Sequence, residues 1–521
     1  MHERDVQGAG STETAADYGA VVDRARMQLE ERVAASPLDV DAWFNLGIFS
    51  RDRGDLGRAD ACFHHVLALR PDHSLASVEL GLICRKRGDL ETAAAWYRRA
   101  LEADPSSVNA HFNLGNWARD TERYAQAEAE YGCVLQAQPE HYGAWVNSGY
   151  VFEQQVRYVE ALRCYTRALS LRPHHAGSYV NIGNLMKEMN DVAGARVAYN
   201  AALALDPESP EAHHSLALAL LASGEYVSGW KEYEWRLRCS DTGGRIGVRV
   251  FPQPLWDGGS LEGKTIYVYG EQGMGDQIQF VRFLPELRRR GAKVVFGCYE
   301  HLLGLFARFK AANALVDVNG GRIPPFDTYL ALMSLPHRLG IQASNLPFAT
   351  VYLDADPARS ARWRWIRETP GLSVGLVWAS NTNNRHARLK SLSVEDLEPL
   401  LAAPEITFYS LQLTDAGEPA QSEKIMTLGR DIGTMEETAA IIDNLDLLIS
   451  VDTSIAHLAG AMGKEVWTLL PFAADWRWPR TGEVTSWYPS MRLFRQTHLQ
   501  SWTEPIREIA VALQQKEKHR A

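Results

Sequence analysis

Between residues 40 and 209 the apolar, small and polar positions return every 34 residues. Gly47, Gly81, Gly115, Gly149 and Gly183 keep that step, and so do Pro37, Pro71, Pro105, Pro139, Pro173 and Pro207. Ala59, Ala93, Ala127, Ala161 and Ala195 form a third column; Phe63, Tyr97, Tyr131, Tyr165 and Tyr199 form a fourth. Columns sharing one period predict stacked pairs of antiparallel helices, with small residues where helices touch and proline ending the second helix. Five full units run from Val40 to Ser209, and a decayed sixth follows Pro210. Residues 19–36 fit a half-unit that caps the array, giving a solenoid over 19–238 behind a polar tail of residues 1–18.

The sixth unit breaks its pattern at SGEYVSGWKEYEWRLR, where aromatics replace small residues. Trp230, Tyr233 and Trp235 suit either a helix docked onto the next domain or one that shields its own core. Residues 239–263 are rich in Gly, Pro and Asp and read as a linker. Within them GGSLEGKT matches a phosphate-loop expression, yet it precedes a strand instead of following one, so the match is rejected.

From residue 264 the pattern turns to short apolar runs separated by glycine turns and helical stretches. Such alternation predicts parallel sheets covered by helices. A first α/β block spans 264–370. Its strand TIYVY (Thr265–Tyr269) leads through Gly270, Gly273 and Gly275 into a helix from about Asp276, and KVVFG follows as the next strand. LVDVN, FDTYLALMSL and ATVYLDADP are read as further elements. In the last, Asp354 and Asp356 make an Asp-x-Asp pair, and Asp356 before Pro357 fits a helix N-cap better than a metal ligand. A second block, 371–521, opens with LSVGLVW and contains LDLLISVDTSIAHLAGAMGKEVWTLLPF. There the run Leu447–Val451 is followed by Asp452, Thr453 and Ser454, a helical pattern, and a second run, Val466–Leu470.

Thr453 and Ser454 stand where N-cap residues belong, at the carboxyl end of a parallel strand. That is either an ordinary capped helix or an anion site, since free amides and the helix dipole point the same way there. Asp276 holds the matching place in the first block, as an N-cap or as a reactive carboxylate; Glu271 lies close enough to compete for the second role. Loops at strand carboxyl ends also offer Ser380, Asn381, Lys390, Gln412 and His457. A carboxylate opposite an amide- and lysine-lined anion site suits transfer from a diphosphate leaving group. In the repeats, Asn45, Asn113, Asn147 and Asn181 share one position of the first helix, with Glu79 and Ser215 completing the series. Carboxamides there suit gripping an extended peptide backbone, or simply belong to the repeat.

Composition narrows these readings. A net charge of −10 argues against nucleic acid as the main partner. The six cysteines are scattered without a Cys-x-x-Cys pair, which fits reduced thiols in a cytoplasmic setting. No secretory h-region and no apolar run near ~20 residues is visible, so neither leader nor membrane span is expected. His-Glu-x-x-His does not occur, which weighs against zinc proteases.

The repeat columns are those of tetratricopeptide repeats. Residues from about 252 to 500 resemble bacterial heptosyltransferase-like glycosyltransferases fused behind such repeats, through YEWRLR, EQGMGDQIQF, VGLVWASN, VDTSIAHLAGAMGKEVW, DWRW and WYPSMRLFRQ. The resemblance implies a GT-B pair of Rossmann-like halves, a nucleotide-sugar donor held by the C-terminal half, and no essential metal or other cofactor. It implies Asp276 as catalytic base, Asp452, Thr453 and His457 at the diphosphate, and Lys390 as the basic residue nearby. The plan is also similar to protein O-linked N-acetylglucosamine transferases, which implies a polypeptide acceptor presented by Asn113, Asn147 and Asn181. Two other readings stay open: a non-catalytic interaction scaffold with a nucleotide-binding α/β part, and a transferase acting on a glycan or lipid-linked acceptor.

Overall fold

The repeat columns reappear as a packing rule in the computed structural model, which describes residues 15–239, 248–346, 351–380, 385–412, 424–428 and 432–520. The chain divides into two compact units, Met1–Pro173 and His174–Ala521. In the first, helix Ala15–Ala35 begins inside the stretch expected as tail. Four helix pairs follow: Val40–Asp52 with Leu56–Leu69, Ser74–Lys86 with Leu90–Ala103, Val108–Asp120 with Tyr124–Ala137, and Tyr142–Gln154 with Tyr158–Leu171. A Cβ at Gly47, Gly81, Gly115 or Gly149 would fall inside contact distance of Phe63, Tyr97, Tyr131 or Tyr165, so each glycine is the seat of its own unit's aromatic ring. The proline column acts through its carbonyls: Trp43 Nε1 donates to Pro37 O and Trp145 Nε1 to Pro139 O, both at 2.9 Å.

Sequence columns missed one repeated feature. The turn between paired helices puts one residue in the left-handed region, at Gly54 (φ 83°), Gly88 (86°), Glu122 (58°) and Val156 (63°). Two of the four are not glycine, which is why the column is invisible to a search for glycine.

The second unit holds two more helix pairs, Ala176–Glu188 with Val192–Leu205 and Pro210–Ala222 with Tyr226–Tyr233, then a 3-10 turn, Glu234–Arg238. Two parallel sheets follow. The first contains β1 (Thr265–Tyr269), β2 (Lys293–Cys298), β3 (Ala314–Asp317) and β4 (Thr328–Ala331) in the order β3-β2-β1-β4. The second contains β5 (Leu372–Val377), β6 (Ile406–Ser410), β7 (Ile425–Thr427), β8 (Leu447–Val451), β9 (Val466–Leu470) and β10 (Met491–Arg495) in the order β10-β9-β8-β5-β6-β7. Apart from the edge strands β3 and β7, the strands are mostly buried apolar runs, as expected where helices cover both faces. In each sheet the winding reverses beside the first strand, between β1 and β4 and between β5 and β8. Loops at the carboxyl ends of such a switch point are where open α/β sheets bind ligands.

Two stretches differ from their sequence reading. Residues 251–263 look like linker but are packed: Leu255 bridges Tyr329, Trp256 is 3% exposed and Leu261 is fully buried. The edge of β4 supplies the backbone partners, since Trp256 N donates to Tyr329 O at 2.9 Å. The described part of ATVYLDADP, from Val351 on, forms no strand. Tyr352 N and Leu353 N instead donate to Ala461 O at 3.0 and 3.2 Å, so apolar residues that read as strand line a crossing segment. Asp356 caps its helix, accepting from Ala358 N at 2.8 Å, and Asp354 pairs with Arg308 at 2.6 Å.

Candidate functional site

β1 ends in the turn Gly270–Gly273, and helix Met274–Phe280 starts at once. The turn is tight because Gln272 takes φ 59°. Asp276, in the first helical turn, reaches back so that its Oδ2 accepts from Gly273 N at 2.8 Å. The helix starts earlier than the sequence reading put it: Gly273 is the N-cap and Asp276 the third helical residue, making the reaching-back half of a capping box, and the carboxylate does more. Its Oδ1 pairs with Arg477 Nη2, while Arg477 Nε donates to Gln279 Oε1 at 2.7 Å and Nη1 to Asp475 Oδ1 at 2.8 Å. The Asp276 side chain stays 18% exposed. Burial pushes its carboxyl above the usual range, against the pull of Arg477 and the Gly273 amide. In the sequence Arg477 is one of four arginines, with Arg480, Arg492 and Arg495, among the aromatic residues of 470–496, and its position there does not set it apart.

β8 leads through Asp452 and Thr453 into helix Ser454–Ala461. Thr453 occupies the N-cap, yet its side chain caps nothing; its Oγ1 lies 3.2 Å from Ser450 Oγ. The leading amides of this helix therefore lack the side-chain acceptor that an N-cap threonine usually supplies. Lys390 Nζ donates to Asp452 O at 2.8 Å, which brings the basic loop after β5 to the same turn. His457, one turn into the helix, lies with Nε2 3.6 Å from Asp452 Oδ1 and Nδ1 3.0 Å from the Tyr488 hydroxyl. Its ring stacks on Trp478 at 5.5 Å between centroids. Desolvation, then the nearby Arg477 charge, hold its pKa well below the usual imidazole range, so the ring is neutral.

These two turns meet. A Cβ on Gly275 would lie 3.0 Å from His457 Cδ2 and 3.4 Å from Ser454 Cα, so glycine lets the two helix starts face each other closely. Asp276, Lys390, Asp452, Thr453, Ser454 and His457 thus fall in one region, at the switch points of both sheets. Gln412 sits behind it: its Oε1 accepts from Trp378 N at 3.2 Å and Ala379 N at 2.9 Å, and its Nε2 donates to Ala379 O at 3.0 Å. Ser380 N donates to Ser391 Oγ at 3.0 Å. Asn381 lies outside the described residues. Glu271 is fully buried and its two carboxylate oxygens are engaged by Arg236, at 2.5 and 3.0 Å, which leaves no room for it to act as a base.

The asparagine column is partly engaged within the repeats. Asn113 Nδ2 donates to Asn109 O at 2.9 Å. Asn147 Nδ2 donates at 2.7 Å to Asn116 Oδ1, which also accepts from the Tyr131 hydroxyl at 2.8 Å. In the second unit Asn184 repeats that arrangement, accepting from the Tyr199 hydroxyl at 2.8 Å and from Ser215 Oγ at 3.2 Å. Asn116 and Asn184 stand two periods apart, a second polar column that the sequence reading passed over. Asn181 is half-buried in its helix, in that same unit.

Among the described residues no helix is long and apolar enough to cross a membrane.

Comparison with known proteins bears on the repeats. Residues 81–117 and 183–224 match a TPR repeat family and residues 112–176 a tetratricopeptide repeat family. Protein FlbA of Caulobacter vibrioides is 29% identical over 328 residues, covering 57% of this chain and 54% of its own length. The chain thus spans about half the length of that curated relative. Among solved structures, YrrB, described as a TPR protein with an unusual peptide-binding site, is 18% identical with a TM-score of 0.33, over 36% of this chain and 96% of its own. PilF of Pseudomonas aeruginosa is 18% identical with a TM-score of 0.35, over 39% and 92%. The chain carries tetratricopeptide repeats, which suggest protein partners, followed by an α/β region with two parallel sheets.

Proposed function

We propose that the α/β region is a GT-B glycosyltransferase that moves a sugar from a nucleotide-diphosphate donor to a polypeptide acceptor offered by the repeats. In this reading an acceptor hydroxyl attacks the anomeric carbon and passes its proton to Asp276. The bond to the diphosphate breaks, and the electron pair leaves with the phosphate. Lys390 and the leading amides of helix Ser454–Ala461 absorb that charge, with no divalent ion. The observation that carries the reading is the approach of a carboxylate-bearing glycine turn to a helix start without a side-chain cap, with Lys390 at its base. Neutral His457 suits a site that is to receive an anion without a competing proton equilibrium.

A panel of nucleotide sugars tests this by thermal shift, since a ligand that binds only the folded state raises its melting point. A donor found in this way should support transfer, and transfer should survive EDTA. A panel in which no nucleotide sugar shifts the melt would remove the reading; activity lost to EDTA and restored by magnesium or manganese would remove its metal-free part. The Asp276–Arg477 pair favours a second reading, in which the site binds a nucleotide without turnover and the protein works as an interaction scaffold. Donor binding without transfer to any acceptor is its signature.

A further inference from the structure

The end of the repeat array enters the α/β core. Trp230, 1% exposed, packs edge-on against Phe280 and Trp476 at 5.9 and 5.2 Å between ring centroids. Six residues later Arg236 is fully buried. A guanidinium has five N–H groups, and each finds an acceptor here. Nε donates to Glu271 Oε2 at 3.0 Å, Nη2 to Glu271 Oε1 at 2.5 Å and to Ser334 Oγ at 2.9 Å, and Nη1 to Tyr233 O at 3.1 Å and Glu234 Oε1 at 3.0 Å. Glu271 Oε1 also accepts from Met333 N at 3.1 Å, on the loop after β4. The next residue, Gln272, is held in its left-handed conformation from both sides. Its Nε2 donates to the Tyr233 hydroxyl at 2.7 Å, and its carbonyl accepts from the Tyr299 hydroxyl.

We infer that Arg236 is a positioning residue for Asp276: through Glu271 it fixes the turn whose Gly273 amide orients the Asp276 carboxylate. Only Gln272 lies between Glu271, where Arg236 is anchored, and that amide, and the turn crosses from β1 to its helix in four residues, Gly270–Gly273. A desolvated ion pair is a costly way to hold two elements together unless every donor and acceptor is matched, and here the match joins the last repeat to the loops of both strands at the switch point. Lysine cannot reproduce it, because a point charge reaches one or two of these acceptors and not the planar set. The inference deepens the transferase reading and rests on it only for its kinetic arm.

The test uses the full chain with Arg236→Lys, Glu271→Gln and a control, Arg238→Met, whose parent side chain is 59% exposed on the same turn. Hydrogen exchange in peptides covering 271–280 should quicken at least about tenfold in Arg236→Lys, with β5 and β8 unchanged. Transfer should fall between about tenfold and about 10²-fold in kcat, as expected for a misplaced group, with donor affinity intact. Glu271→Gln should show the same pattern more weakly, and it decides the matter if Arg236→Lys unfolds below the assay temperature. Arg238→Met should change nothing. Unaltered exchange at 271–280 overturns the inference, and so does a uniform rise across both sheets with kcat and donor affinity lost together. If the wild-type protein transfers no sugar, the transferase reading falls, and exchange alone still decides whether Arg236 holds the turn.

Discussion

At the scale of single residues the site turns on how Asp276 is held. One oxygen takes the Gly273 amide and the other takes Arg477, so Asp276→Asn keeps the volume, removes the charge and sets its NH2 against one of those two donors. Transfer is expected to fall by about 10² or more with donor affinity nearly unchanged, as turnover assays and calorimetric donor titration would reveal. A second residue offers a pH probe. His214 lies 5.5 Å from the Tyr233 ring, and burial, followed by the Arg236 and Lys187 charges, holds its pKa down to about 4 from an ordinary 6.5. Between those values the unfolded chain binds a proton that the folded chain refuses, so this contribution to stability is full above the upper value and is lost as pH falls. At about pH 5 the loss amounts to roughly 1–2 kcal/mol. Asp276 and Glu271, with raised values, work in the opposite sense. The comparison is therefore between the wild-type protein and His214→Gln, by urea unfolding at about pH 7.5 and about pH 5. An equal acid loss in both would rule out the assignment to His214. Asp276, Thr453 and Lys390 were legible because helix starts and basic loops leave local marks. Arg477 was not, because its partners Asp276 and Gln279 stand about 200 residues earlier in the chain.

At the scale of elements, the repeats were readable down to individual helices because their packing is local and recurs. What escaped was the left-handed turn position, occupied by Val156 in the fourth unit. A β-branched residue at φ 63° clashes with its own backbone, at a cost of roughly 1–2 kcal/mol, part of which glycine gives back through the unfolded chain. Val156→Gly is therefore expected to stabilise the protein by about 0.5–1 kcal/mol. A urea midpoint that stays put or falls would show that the Val156 side chain contributes more than the strain removes. Short strands were equally legible, since β1, β5, β8 and β9 are apolar runs ended by turn residues. Strand order was not: the reversals between β1 and β4 and between β5 and β8 arise from pairings across the sheet. Yet those reversals bring the candidate residues together.

At the scale of the molecule, the proposed division of labour gives the acceptor to the repeats and the donor to the sheets. Asn113→Ala and Asn147→Ala combined should raise acceptor KM clearly, since hydrogen bonds worth about 0.5–1.5 kcal/mol each add along one bound chain. Donor affinity should hold. The fold should also hold, because Asn116 keeps the Tyr131 hydroxyl when Asn147 is gone. Unchanged KM with changed solution mass would move the column from substrate binding to assembly.

The packing of Trp230 and Arg236 also sets where this polypeptide can be recombined. Composition invites a splice near Cys239, at the start of the Gly- and Pro-rich text. A chimaera joined there would open an apolar pit beside Phe280 and Trp476 and strand Glu271 without its cation, a loss of about 3–5 kcal/mol for the broken pair alone. A junction in the turn ahead of Pro210 spares both. Upstream units can then be added or exchanged in whole periods, as interchangeable cassettes, while the last repeat and the sheets are inherited as one piece.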